Sequence, residues 1–208
     1  MEHILCEKPR PETSTPGEIA REKRFRILFT KKGRSRLLSH LEVSSALIRA
    51  LKQSGLRFIY SQGFHPHPRI SFAVATSVGM ESLAEYADIR VEEPIPNTMV
   101  FMETANRCLP SGMALLKMTA LTLTEPSLSE AILAFQYRVI LPPGETIRPA
   151  REINNTLQNF LITSSFITTK TTKDKTIVKD IRPLVDVLLF DPATRVITLR
   201  IKWHNNGS

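Results

Sequence analysis

Gly63-Phe64-His65-Pro66-His67-Pro68-Arg69 is the densest chemistry-bearing stretch of this 208-residue chain. Gly63 permits a sharp turn at positive φ, and Pro66 and Pro68 force the residues before them, His65 and His67, into extended conformations. The product is a stiff arm with two imidazoles, an aromatic ring and Arg69 at its end. Three chemistries fit. Phe64, His67 and Arg69 suit contact with the bases and phosphates of RNA, the ring serving as a stacking platform. His65 and His67 have a His-x-His spacing compatible with a metal, with His40, Glu81 or Glu85 completing the set. A structural zinc needs four ligands, and no recognisable pattern supplies the missing ones nearby. In the third reading the imidazoles cap backbone groups of a rigid hairpin and do no chemistry.

His40 stands at an expected helix start, where anions are attracted, or else packs against Leu37 or Val43. Glu81 and Glu85 suit acid–base work if they share a pocket; otherwise they are a solvated turn or salt-bridge partners for Arg69. Neither a Ser/His/Asp order nor a phosphate-cradling glycine loop occurs, so catalytic residues stay unassigned.

Charge separates the two ends of the chain. Residues 1–70 hold 14 Lys and Arg against 6 Asp and Glu, whereas residues 71–208 hold 14 against 14, so the whole net charge of +8 lies in the first third. Between Arg21 and Arg57 there are 11 basic residues and only two acidic ones, Glu22 and Glu42. Such a stripe is the footprint of a surface that meets phosphate, or simply a solvated face. In the first reading Arg24, Arg26, Lys31, Lys32, Arg34, Arg36 and Arg49 neutralise phosphates, while His40, Phe64, His67 and Arg69 orient a local feature of the RNA.

The elements that must position these residues follow from periodicity. Phe25, Ile27 and Phe29 alternate with Arg24, Arg26 and Leu28, the period of a half-buried strand with a basic outer face. A turn, Lys31-Lys32-Gly33-Arg34, follows. Ser39-His40-Leu41-Glu42 fits a capping box, and Val43, Ala46, Leu47, Ala50 and Leu51 form the apolar face of the helix it starts, which Gly55 ends. Strands are expected at Leu56–Tyr60, Ile70–Ala75, Tyr86–Glu92 and Met113–Leu123, with a helix over Asn97–Cys108. Pro126–Ser129 reads as a connector. A similar order then recurs: strand Ala134–Leu141, turn Pro142-Pro143-Gly144, helix Pro149–Ile162, strands near Ser165–Thr171 and Thr176–Ile181, a short helix over Pro183–Phe190 and a strand Arg195–Trp203.

These elements predict an α+β chain of tandem ferredoxin-like (split β-α-β) units, with antiparallel sheets and helices on one face. The domains are a flexible leader at 1–22, a first ferredoxin-like unit at 23–125 with the basic face and the Gly-Phe-His-Pro-His-Pro-Arg loop, and a second unit at 130–204. An apolar content of 42% supports a real core. No apolar run reaches the roughly 20 residues of a membrane span, and the Glu- and Pro-rich N-terminus has no signal-peptide core, so a cytoplasmic location is expected. Cys6 and Cys108 supply no disulfide framework and no Cys-rich zinc or iron–sulfur pattern.

Arg36-Leu37-Leu38-Ser39-His40-Leu41-Glu42, then Arg49-Ala50, then Tyr60 to Ala73 through the His-Pro arm, and Gly79-Met80-Glu81-Ser82 with Glu85-Tyr86 together resemble the radical-SAM-linked family of uncharacterised bacterial proteins. The likeness is close from about Phe25 to Pro110 and looser beyond, including Val178-Lys179-Asp180-Ile181-Arg182-Pro183. It implies a radical-SAM protein, of cobalamin type, as a fused or neighbouring partner. Glu42 departs from the pattern, where Asp is expected, and so does His65, where Asn is common; His67 is therefore favoured over His65. The chain lacks Cys-x3-Cys-x2-Cys, so it is expected to be the accessory half, without a cluster or other cofactor of its own, a metal being left open. It ends at Ser208, before the basic C-terminal segment expected of the family. The leading expectation is an RNA-binding module for tRNA or rRNA, without DNA specificity, that assists the radical-SAM partner. A hydrolase or RNA-modifying subunit with a His/Glu site and a protein-interaction scaffold are the alternatives.

Overall fold

A computed structural model describes residues 22–92, 97–122, 124–142, 148–171 and 176–203. Most of the leader assigned to residues 1–22, the Pro143-Gly144 turn and the terminal residues 205–208 lie outside these. The chain divides into two compact units, Met1–Ser129 and Glu130–Ser208.

In the first unit, strand β1 (Glu22–Lys31) is followed by a 3-10 turn (Gly33–Leu37), helix α1 (His40–Gln53), strands β2 (Ile70–Phe72) and β3 (Ser82–Glu92), helix α2 (Thr98–Cys108) and strand β4 (Met113–Leu121). The strands form one antiparallel sheet in the order β2-β3-β1-β4. The period-2 pattern of β1 is realised, with Phe25, Ile27 and Phe29 buried and Arg24, Arg26 and Leu28 on the opposite face. With Ile89 and Val91 of β3 and Leu115 of β4, these residues meet Val43, Leu47 and Leu51 of α1 and Phe101 and Ala105 of α2 in one core. Each large side chain fully removed from water there contributes about 1.5–3 kcal/mol.

The cap of α1 is the expected one. Ser39 Oγ accepts from the Glu42 amide, and the Glu42 carboxylate accepts from the Ser39 amide at 2.8 Å. Gly55, at φ +92°, closes the helix. The expected strand Leu56–Tyr60 is reduced to two isolated bridges, Phe58 to Val91 and Tyr60 to Pro68, because the chain leaves the sheet edge to build the arm between them.

A single helical turn, α3 (Leu128–Ala131), follows the connector. The second unit holds strand β5 (Ala134–Ile140), helix α4 (Ala150–Ile162), strands β6 (Ile167–Thr171) and β7 (Thr176–Asp180), a 3-10 turn (Arg182–Leu184) and strands β8 (Val185–Asp191) and β9 (Val196–Lys202). The helix expected over Pro183–Phe190 is thus a strand after one 3-10 turn. Pro183 starts that turn, but Val185 and Val187 favour the extended chain, and β8 finds a partner in β9 with Leu188 opposite Leu199 and Phe190 opposite Ile197. The sheet runs β5-β9-β8, and β6 and β7 form a separate two-stranded ribbon. Among the described residues no helix is long and apolar enough to cross a membrane.

Candidate functional site

Most of the residues singled out by the sequence fall into three sets on the first unit, each held by different chemistry. The first is the 3-10 turn after β1. Its backbone is pinned from beneath: the Lys32 amide donates to Gly112 O at 2.8 Å, and Ser35 Oγ donates to Ser111 O at 2.7 Å. Gly112 sits at φ +91°, and a Cβ there would stand 2.0 Å from Lys32 O, so only glycine allows β4 to start this close to the turn. From the other side the Gly79 amide donates to Arg36 O at 2.8 Å, and the Gly33 amide donates to Glu81 Oε1 at 2.8 Å. Lys32, Arg34 and Arg36 consequently project outward as an exposed cationic turn. Among the described residues one carboxylate lies within reach of Arg36, Glu81 at 3.7 Å, with both side chains half-exposed.

Lys31 does not join them. It is 1% exposed, and its ammonium donates to the carbonyls of Thr76 and Ser77 at 3.1 and 3.3 Å, which ties down the loop before β3. The signal was available, since Lys31 shares the parity of Phe25, Ile27 and Phe29, the core-facing set. Glu85 is buried in the same region and accepts from Thr76 Oγ1.

The second set is the outer face of β1. Arg26 donates from Nε and Nη2 to the two oxygens of Asp88, at 2.8 and 3.0 Å, and Arg24 adds Nη2 to Oδ2 at 2.6 Å. Both guanidiniums also hold the connector: Arg24 reaches Glu125 O and Pro126 O, and Arg26 reaches Pro126 O at 2.9 Å. The bond to Asp88 raises the Arg26 pKa further above its ordinary value, against the smaller opposing effect of burial. These two arginines, expected to meet phosphate, instead share the single carboxylate of Asp88 and spend further donors on the protein's own carbonyls, so their charge is only partly offset. Asp88 escaped the sequence reading. Its parity in β3, between Tyr86 and Arg90 on the outward face, was visible, but only the β1–β3 register puts it opposite Arg26.

The third set is the arm. Its neck is closed by the Tyr60–Pro68 bridge, by the Ser61 amide on His67 O at 2.8 Å, and by the His67 amide on Ser61 Oγ at 3.0 Å. Below the neck the Arg69 amide donates to Ile59 O, and Arg69 O accepts from the Arg90 amide, so the base of the arm is stitched to β3. Gly63 turns the tip at φ +129°. Phe64 stands there at 101% exposure, and His65, His67 and Arg69 are exposed along the arm. Lys52, near the end of α1, lies 5.1 Å from the centre of the Tyr60 ring, a cation–π contact that brings one helix cation to the neck. Arg49, one turn back on α1, lines an open groove of about 490 Å³ with Leu38, Leu41, Ala46, Leu109 and Pro110.

His40 belongs to none of these. It is half-buried, and its ring makes an edge contact with Phe72 at 4.9 Å. The His/Glu set therefore stays dispersed: His40 packs on Phe72, Glu81 caps the 3-10 turn, Glu85 bonds Thr76, and His65 and His67 stand out on the arm. Among the described residues no three His, Cys, Asp or Glu side chains converge as a group that could hold a metal. The arm's base pairs at the level of Arg90, opposite Arg24, whereas the cationic turn begins beyond Lys31. Seven positions of β1, an offset of roughly 23 Å along the strand, lie between these levels, so the expected single surface is two exposed cationic sites, with Arg24 and Arg26 engaged by Asp88 on the sheet.

A protein-family model matches residues 24–207, and its description reads "Uncharacterized protein conserved in bacteria (DUF2344)". No curated protein matches the chain.

Proposed function

The chain belongs to this family of bacterial proteins, and from that premise we propose that it is a cytoplasmic RNA-binding module, for tRNA or rRNA, that assists a radical-SAM partner. The observation that carries the RNA reading is the arm. A fully exposed ring and two exposed imidazoles stand on an arm whose neck lies by Lys52 and whose base carries Arg69, and Lys32 and Arg34 stand at the second site with no ion-pair partner among the described residues. Two cationic sites roughly 23 Å apart along a strand suit an extended run of phosphates better than a small anion. The partner half of the proposal rests on the resemblance of the Ser39-to-Glu42 and Tyr60-to-Ala73 stretches.

We read the first unit as a ferredoxin-like split β-α-β unit, supported by its β-α-β-β-α-β order and the strand order β2-β3-β1-β4. The second unit, with β6 and β7 outside its sheet, supports the tandem version less. The enzyme reading is supported least, because His40, Glu81 and Glu85 each have a packing or bonding role elsewhere.

The test is binding of bulk tRNA and rRNA as a function of salt. With Lys32, Arg34, Lys52 and Arg69 each on a phosphate, log K falls by roughly 3 per tenfold rise in salt, at about 0.7–0.9 per contact. Arg34→Glu with Arg36→Glu lowers that slope. Absent or salt-independent association refutes the reading.

A further inference from the structure

We infer that Phe64 stacks on an unpaired base, so that the feature recognised is a loop, bulge or single-stranded end and not duplex RNA. This rests on the RNA reading above. At 101% exposure neither face of the Phe64 ring is covered by the protein. Leaving such a ring in water is unfavourable, and its held position makes it a site and not a frayed tip: Gly63 sets the turn, Pro66 and Pro68 restrict the return strand, and two Ser61–His67 hydrogen bonds close the neck. The restrained backbone lowers the ordering cost of stacking, and the ring itself settles into one rotamer when it meets the base.

The surroundings favour a base over a protein pocket. Protein-binding anchors sit inside a larger apolar patch that excludes water. Around Phe64 the exposed arm residues are Gln62, Gly63, His65, Pro66, His67 and Arg69, with Lys52 at the neck. An aromatic ring at the tip of an arm that carries donors and cations toward its base matches what a nucleotide offers, a π-face joined to a phosphate. In a duplex both faces of every internal base are already covered by neighbouring bases, so the ring has nothing to stack on there; an unpaired base supplies the face.

The experiment compares two RNAs of equal nucleotide number, a hairpin with an unpaired purine loop and a fully paired duplex, by fluorescence anisotropy at fixed salt with the full chain. Phe64→Ala is expected to weaken hairpin binding by roughly 5- to 150-fold, the range of one base–aromatic stack, and to leave duplex binding within about twofold. Phe64→Trp is expected to keep hairpin affinity and to change its fluorescence on binding. Since the Phe64 ring is wholly exposed, both variants fold, which circular dichroism checks. If the wild type binds both RNAs and Phe64→Ala loses nothing on the hairpin, or loses equally on the duplex, the stacking inference is overturned and the RNA reading survives. If Phe64→Ala keeps RNA binding but abolishes capture of a protein partner, the arm is a protein anchor and the inference fails. If the wild type binds neither RNA, both readings fall.

Discussion

Replacing Asp88 by Asn separates a structural arginine cluster from a ligand-binding one. The Asp88 side chain is 6% exposed and accepts from Arg24 at 2.6 Å and from Arg26 at 2.8 and 3.0 Å. Asn keeps one acceptor oxygen and turns an NH2 donor toward guanidinium donors, so at least one bond is lost and two donors are left facing each other. Breaking a fully buried pair costs about 3–5 kcal/mol. That limit does not apply, because the guanidiniums are 16% and 18% exposed and retain the carbonyls of Glu125 and Pro126. One hydrogen bond to a charged group is worth about 1.5–3 kcal/mol, which sets the expected destabilisation near 2–3 kcal/mol. For a unit of this size the corresponding fall in Tm is about 10 °C. Urea unfolding of wild type, Asp88→Asn, Arg26→Met and the double variant gives the result directly, with an Asp88–Arg26 coupling above about 1 kcal/mol. A loss for Asp88→Asn below about 0.5 kcal/mol, or a coupling near zero, refutes the account of Arg24 and Arg26 as internal clamps.

Arg26→Met is further expected to leave the salt slope of RNA binding unchanged, whereas Arg34→Glu with Arg36→Glu lowers it; equal slopes for both variants would mean that Arg34 and Arg36 do not meet the phosphates. Ser39→Ala removes the cap of α1 and lowers stability by about 1 kcal/mol, read as a shift in the urea midpoint. The Glu42 carboxyl is held below its ordinary range, first by the Ser39 hydroxyl and then by the Ser39 amide. Its contribution is therefore complete at neutral pH and disappears as pH falls through and below about 4. The difference between wild type and Glu42→Gln, present at pH 7, shrinks as pH falls below the ordinary carboxylate range; a difference independent of pH excludes the carboxylate as its source. Gly112→Ala forces a Cβ against Lys32 O at a positive φ and is expected to destabilise by about 1–3 kcal/mol, while Gly63→Ala, with open space around it, bears only the conformational strain of φ +129°.

Much of the first unit was legible because its signals are local. Ser39 and Glu42 lie three residues apart and cap each other in any context where the helix forms. Gly55 and the alternation of Phe25, Ile27 and Phe29 act over the same short range. The strand β8 was misread because Pro183 is a valid helix start; the extended alternative won through the partner strand β9, which lies beyond a turn.

By itself the sequence determined the cap, the helix end, the core-facing parity of β1 and the stiffness of the arm. These depend on the φ limits of proline and glycine and on hydrogen bonds between near neighbours. Only the tertiary structure decided which partners hold Arg24, Arg26 and Lys31. Asp88 lies 62 residues from Arg26 and 64 from Arg24, and the carbonyls that hold Lys31 come from a loop 45 and 46 residues away. A charge is engaged by whatever the fold brings within about 3 Å, and that proximity is set by strand register, which one-dimensional spacing does not carry.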